Sequence, residues 1–435
     1  MLTTLRQYNF SLLWSAGLIS MIGDWMLLIA LPIYVYKLTG SALATSTMFI
    51  AEMIPSLLLG SVAGVFVDRW NRKRIMVITN LLLAPGLLPL LLVHSTDWLW
   101  VVYVVAFVES ILAQFFTPAE SALLPLLVSE EHLGPANSLN SLNRNIARLV
   151  GPPLGGIVAG LLGLPGITLI DAASFLIAGG LIALIVVKSR PTQEASTLVS
   201  TTAERQHPIV AVWHEWLEGL GLIKKERLVS IMFVLFAVTS LGEGVFGVLF
   251  VVFVYRILHG GALQLGWLMG AQAVGGLVGS VLVGYVFKFL SPSRLIGISA
   301  VLFGLIDLMI FNYPAFFPGF TLAMILFVLV GIPGTGAMTS SYTLLQTAVT
   351  DEYRGRIFGA IGTTGALFML SGTILAGFLG DHLGVVTILN TQGAVYVLAG
   401  VFALITLFNV KVKVKVKAKA EIMGEVEETK SVVIP

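Results

Sequence analysis

The chain has 435 residues, of which 57% are hydrophobic and only 11% charged, and its formal net charge is +2. A water-soluble domain carries roughly 25% charged residues, so this composition excludes an ordinary soluble fold. The lack of cysteine excludes disulfides and thiolate metal sites. The apolar runs are continuous and do not alternate in period two, which excludes an outer-membrane barrel.

The first apolar stretch, Phe10 to Tyr36, is too long for a cleavable signal peptide and is interrupted by Asp24. It reads as a spanning helix, which needs about 20 mostly apolar residues. Eleven more follow, giving segments 10–36, 43–67, 75–94, 98–117, 139–163, 166–187, 228–256, 263–287, 294–313, 318–342, 357–380 and 385–409. A polar stretch from Lys188 to Arg227 separates segments six and seven. The expected fold is therefore an all-α polytopic membrane protein with twelve transmembrane helices in two bundles of six. The expected domains are an N-terminal bundle (1–187), a cytoplasmic linker (188–227), a C-terminal bundle (228–409) and a cytoplasmic tail (410–435).

Basic residues are retained in cytoplasmic loops. With both termini inside, 21 of the 25 Lys and Arg fall in cytoplasmic regions; Arg144 and Arg148 sit early in segment five, and only Lys37 and Arg256 lie outside. The expected location is a bacterial-type inner membrane. In the linker, Ile209, Val212, Trp213, Trp216, Leu217 and Leu220 share one helical face before Lys224 and Lys225, the pattern of a helix lying on the inner leaflet. The tail, Lys411-Val412-Lys413-Val414-Lys415-Val416-Lys417, reads as a solvated segment within reach of anionic lipid. Trp98, Trp100 and Tyr103 suit a membrane boundary.

The two halves repeat. Gly23-Asp24 aligns with Gly242-Glu243 and Val35-Tyr36-Lys37 with Val254-Tyr255-Arg256, 219 residues apart. Ala42-Leu43, Gly64 and Arg74 align with Ala262-Leu263, Gly284 and Arg294 at 220, and Leu123-Leu124, Glu131, Gly134 and Gly151 with Leu344-Leu345, Glu352, Gly355 and Gly372 at 221. Two similar bundles with a site between them form the architecture of alternating access. Symmetry inside one chain favours a monomer. The glycine run Gly331-Ile332-Pro333-Gly334-Thr335-Gly336 lacks the Lys-Ser/Thr ending of a nucleotide loop. No nucleophile–base pair, metal cluster or cofactor loop stands out, so neither an enzyme nor a cofactor is expected, and nucleic acid is not an expected partner.

The loop after segment two reads Gly64-Val65-Phe66-Val67-Asp68-Arg69-Trp70-Asn71-Arg72-Lys73-Arg74. It resembles the signature loop of the major facilitator superfamily, and Gly151-Pro152-Pro153-Leu154-Gly155-Gly156 resembles the Gly-Pro motif of that superfamily's antiporters. Leu217-Glu218-Gly219-Leu220 with Lys224-Lys225, the stretch Pro32 to Ser41, and Asn137 are similar to the macrolide-efflux and enterobactin-exporter branch. Asn71 replaces the usual second glycine, and its tolerance of the left-handed conformation is expected to preserve the turn. The arginine that many proton-coupled members place in segment four is absent; that segment carries Glu109.

The resemblance implies a gate in which Asp68, at the end of segment two, meets the start of segment eleven, whose N-terminus carries roughly half a positive charge. Arg69 and Arg72 would bond neighbouring acids. It also implies a conformational role for Gly151, Pro152, Gly155 and Gly156, whose glycines make a packing strip and whose prolines permit a bend.

Six acids fall inside spanning segments: Asp24, Glu52, Glu109, Asp171, Glu243 and Asp307. A charge near the bilayer centre costs about 2.5–3.5 kcal/mol on insertion scales, so such groups are candidates for binding substrate or protons. Asp24 and Glu243 occupy equivalent places in the repeat. Glu52 and Glu109 form a second pair, and Arg144 and Arg148, four residues apart, are expected to neutralise Glu109 from segment five. The reading is an exporter of amphiphilic or lipophilic small molecules (macrolides, lipophilic cations or siderophores) in exchange for protons, surrounded by membrane lipid. The alternatives are a lysophospholipid flippase and a membrane assembly or secretion accessory that moves nothing.

Overall fold

A computed structural model describes residues 2–187, 216, 220, 221, 223, 226–317, 319–349 and 351–407. Most of the linker (including Ile209, Val212, Trp213, Leu217, Lys224 and Lys225) and the lysine-rich tail lie outside the described residues, as do the side chains of Asp68, Asp351 and Glu352. After a single turn at Leu2–Leu5, the long helices are α1 (Tyr8–Thr39), α2 (Ala42–Arg69), α3 (Arg72–Leu87), α4 (Leu99–Leu127) and α5 (Glu130–Ala183). The second half supplies α6 (Arg227–Arg256), α7 (Ala262–Val286), α8 (Pro292–Asn312), α9 (Phe320–Ala348), α10 (Asp351–Leu383) and α11 (Val385–Leu407).

Among the described residues, eleven helices are long and apolar enough to cross a membrane. The 54-residue α5 breaks at Gly163 (φ 65, ψ −167). At about 1.5 Å per residue a straight helix of that length would reach about 80 Å, far beyond a ~30 Å hydrocarbon core. Its two arms therefore serve as segments five and six, and the expected twelve spans are present. The bend lies at Gly163; helical geometry runs unbroken through Pro152 and Pro153.

Local chemistry sets the helix ends. Gly40 closes α1 in the left-handed conformation (φ 66), its N–H donating to Tyr36 O at 2.7 Å. Ser41 caps α2 by accepting from Ala44 N at 3.3 Å. Asn71 corrects the sequence expectation: it is extended (φ −70, ψ 108), and its side chain caps α3 by accepting from Arg74 N at 3.0 Å. Asparagine stands at this turn as a helix cap rather than as a glycine substitute.

The chain divides into two compact units. The first comprises Met1–Trp213, Phe246–Gly270 and Thr373–Val385, so it includes the last turns of α6 and α10 and the start of α7. Its interior has two apolar clusters. One gathers Phe10, Leu13, Val67, Met76, Leu123, Leu139 and Ile182; the other gathers Met26, Val35, Met48, Leu87, Val102 and Phe175. Between them along the helices lie Ser20, Asp24, Glu52, Asn80, Glu109 and Ser110, a polar layer between two dry ones.

The second unit comprises His214–Val245, Ala271–Gly372 and Val386–Pro435. Gly297 and Gly304 of α8 meet Gly400 and Gly393 of α11 so closely that an added Cβ would strike backbone. Asn312 and Asn390 exchange amide bonds of 2.7 and 3.0 Å beside them. Trp216 and Leu220 pack against an apolar cluster of α6, α9 and α10, and Trp216 Nε1 donates to Thr364 Oγ1 at 3.2 Å. This part of the face expected to lie on the inner leaflet is instead seated on the protein.

Repeat-related glycines pack alike. Gly151 presses on Trp25 of α1, and its counterpart Gly372 presses on Leu241 of α6; Gly23 faces Asp171 and Ser174, and Gly242 faces Tyr396. Gly304→Leu is expected to cost about 1–3 kcal/mol through overpacking, seen as loss of the monodisperse peak in size-exclusion chromatography. Gly284→Ala, with nothing within 4 Å of the new Cβ, is expected to leave that peak intact.

Candidate functional site

The polar layer of the first unit brings together acids from four spans. Asp24 lies mid-α1, half-buried, and its Oδ1 has no hydrogen-bond partner. Asp171, on the second arm of α5, is fully buried; its Oδ1 accepts from Ser174 Oγ at 3.1 Å, and its Oδ2 has no partner. The two meet because residue 23 is glycine: a Cβ there would collide with Asp171 Oδ1 and Ser174 Oγ. Asp24 lies within electrostatic range of both Asp171 and Glu52.

Glu52 of α2 is exposed, and its carbonyl accepts from Ser110 Oγ of α4 at 2.5 Å, fixing α2 against α4. One residue earlier on α4, half-buried Glu109 has Asp24 and Glu52 as its charged neighbours. It also lines a water-sized cavity with Leu83, Gly86, Leu87, Val105, Val108 and Leu112. The expected Glu109–arginine pair does not form. Arg144 is exposed, donates to Ser141 Oγ at 3.1 Å and has Glu120 as its acidic neighbour, while Arg148 is exposed on the same face. The reason is register. Arg144 and Arg148 lie nearer the start of α5, and Glu120 near the end of α4 is the acid at that level.

Among the described residues no Lys or Arg forms an ion pair with Asp24, Glu52, Glu109 or Asp171. Asp24, Glu52, Glu109 and Asp171 are like charges to one another, and a proton or a positively charged group bound there would relieve their repulsion. Such an arrangement makes these acids the candidate functional site of the first unit.

The second unit has a related but different arrangement. Glu243, exposed on α6, and Asp307, buried on α8, are both electrostatic neighbours of Tyr396 on α11. Tyr396 donates to Thr239 O at 3.2 Å. The repeat therefore keeps an acid at positions 24 and 243 but sets an acid behind the first and a phenol behind the second.

The Gly-Pro motif joins α1 on one side and α7 on the other. Gly155 is set against Met26, Gly156 against Ala262 and Leu263, and the Pro152 carbonyl against Gly266. Of the signature loop, Gly64 is half-buried, Arg69 exposed and Arg72 half-buried at the first residue of α3. Trp98 and Trp100 are exposed and stacked at 6.4 Å, as suits a boundary. Glu120 and Asp381 were not singled out from sequence: both lie near helix ends, where an acid ordinarily reads as solvated. Gly23→Ala is expected to lower the melting temperature of the detergent-solubilised protein, and Asp171→Ala to relieve part of that loss. A double-mutant cycle read by thermal unfolding, with coupling of about 0.5–3 kcal/mol, checks it.

Comparison with known proteins adds the lineage. A family model described as "MFS_3: Transmembrane secretion effector" matches residues 1–429. The chain is 26% identical to macrolide efflux protein A of Streptococcus pyogenes, over 88% of this chain and 93% of that one. It is 31% identical to the multidrug efflux pump Tap of Mycobacterium tuberculosis, over 85% and 86% respectively. Its fold is similar to the crystal structure of a bacterial homologue of the iron transporter ferroportin, with a TM-score of 0.67, 17% identity, and coverage of 92% of this chain and 98% of that one. The chain belongs to the transmembrane secretion effector family of the major facilitator superfamily, whose members are transporters and not enzymes.

Proposed function

We infer that the protein exports amphiphilic or lipophilic small molecules by alternating access, in exchange for protons, across a bacterial plasma membrane with both termini cytoplasmic. The observation that supports this most directly is the set of four carboxyls, Asp24, Glu52, Glu109 and Asp171, without a basic partner among the described residues. A carboxyl on a spanning helix is a candidate carrier of a proton. Loss of that proton gives a charge that can hold a cationic or hydrogen-bonding substrate.

The relatives support export as the direction, since their names describe macrolide and multidrug efflux. Asp24, on a spanning helix and with an unpartnered oxygen, is assigned to substrate or proton binding, and Glu243, its repeat counterpart, shares the role. Glu52 and Glu109 would pass protons to Asp24. Asp68, Arg69 and Arg72 would form the cytoplasmic gate, Asp68 meeting the start of α10. The protein would work as a monomer.

Everted vesicles energised to an acid interior, with a pH-sensitive dye and a panel of macrolides, lipophilic cations and siderophores, test this reading. Adding a substrate is expected to release protons from the interior, and Asp24→Asn and Glu243→Gln are each expected to abolish the release at normal expression. Turnover that depends on lysophospholipid and needs no proton gradient would replace the exporter with a flippase. For the gate, Asp68→Asn is expected to lower turnover in the same assay; unchanged turnover would remove that role.

A further inference from the structure

At the end of the first unit where α1 meets α2, the turn Thr39–Gly40–Ser41 is gripped from two sides by residues more than 200 positions away. From α6, exposed Arg256 donates to Gly40 O at 2.9 Å and stands 5.5 Å over the ring of Tyr36. From α10, the Asp381 carboxylate accepts from Ser41 Oγ at 2.9 Å, Ala42 N at 3.0 Å and Leu43 N at 3.4 Å. Tyr36 packs edge-on against its repeat counterpart Tyr255, with ring centroids 5.5 Å apart. Beneath the polar contacts the repeat closes on itself: Gly156 abuts Leu263, and its counterpart Gly377 abuts Leu43 and Ser46.

Two features show that Asp381 joins helices rather than building one. Helix α2 already has its own cap, since Ser41 Oγ accepts from Ala44 N. Asp381 adds its charge to N–H groups of the first turn, which have no partner inside the helix. On its own helix, Asp381 occupies the last turn of α10, where the partial negative charge of the helix end disfavours an acid. The same carboxylate is thus unfavourable where it is attached and favourable where it docks. Both bonded groups are exposed, and exposed polar contacts are individually weak, so the contact can part at small cost.

We propose that Asp381 and Arg256 form a two-sided clasp on the α1–α2 turn that holds this end of the transporter shut, and whose release opens it to the outside. The clasp rests on the alternating-access reading above, and it engages the same pair of helices, α2 and α10, as the gate expected at Asp68, at their opposite ends. If Asp68 makes the contact expected of it, closure at either end would be an acid on a helix start. The device is one-sided in the repeat, because the position matching Asp381 in the first half is Gly160.

The cysteine-free chain allows a direct test. Ser46→Cys places a reporter at a fully buried position against Gly377, and its initial rate of labelling by a membrane-impermeant maleimide is measured on intact cells. Asp381→Asn, and separately Arg256→Gln, are expected to raise the rate about two- to fivefold, the population shift that loss of one charge–dipole contact brings. Asp381→Glu is expected to restore part of the protection. Unchanged labelling in Asp381→Asn overturns the clasp, and Arg256→Gln carries the same test if Asp381→Asn fails to reach the membrane. The readout needs neither substrate nor gradient. Unchanged labelling therefore leaves the exporter reading standing, whereas altered labelling with no transport of any compound sinks that reading and leaves the contact itself.

Discussion

Close approach of helix backbones is the constraint on which the rest of this structure depends. Lipid tails are as apolar as leucine, so burying one apolar helix face against another gains little of the hydrophobic stabilisation available in water. Cohesion comes from packing and from the polar contacts that close packing permits. Gly297 and Gly304 against Gly400 and Gly393, and Gly275 and Gly279 of α7 against the Val328 and Ile332 carbonyls of α9, hold the second unit at distances no larger residue allows. In the first unit, Gly151 and Gly155 do the same against α1. The large apolar side chains on the outer faces, among them Leu161, Val281 and Ile405, remain exposed at 70% or more, as lipid contact requires.

The same constraint makes the acids informative. A carboxylate in hydrocarbon needs a cation, a proton or a set of donors. Asp381 has donors, because it lies at a helix start near the end of the bundle. Asp171 has one serine and an oxygen without a partner. Asp24 lies within its electrostatic range, and Gly23 beside it lets the two helices approach. Packing glycines and intramembrane carboxyls are thus one arrangement: the glycine lets the helices approach, and the approach brings the acids to a common level.

A duplicated chain need not stay symmetrical in its chemistry. The backbone repeat survives as matched glycine contacts, Gly151 with Gly372 and Gly156 with Gly377. The polar groups have diverged: Asp171 stands behind Gly23, and Tyr396 behind Gly242. Divergence of this kind allows one half to concentrate charge while the other keeps a hydrogen-bonded phenol.

Fold class and family were legible in the sequence because their signals are local. Twelve apolar runs near 20 residues, one polar interruption and a repeat offset near 220 need no knowledge of contacts. The identity of the intramembrane acids was legible for the same reason, since any acid in such a run is anomalous. Partners were not legible. Helical spacing put Arg144 and Arg148 on one face but could not tell that Glu120, rather than Glu109, would be the acid beside Arg144, because that depends on how α4 and α5 slide against each other. The proline pair would have permitted a bend, but helical geometry runs unbroken through Pro152 and Pro153, and Asn71 turned out to cap a helix. Asp381 had no mark in the sequence that distinguished it, and tertiary structure set it on the start of a helix 338 to 340 residues earlier. The sequence by itself determined the number of spans, their duplication and the acids they contain, because the bilayer acts on each segment separately. Only tertiary structure decided which acid faces which neighbour, because that depends on rotation and axial shift between helices that no single segment encodes.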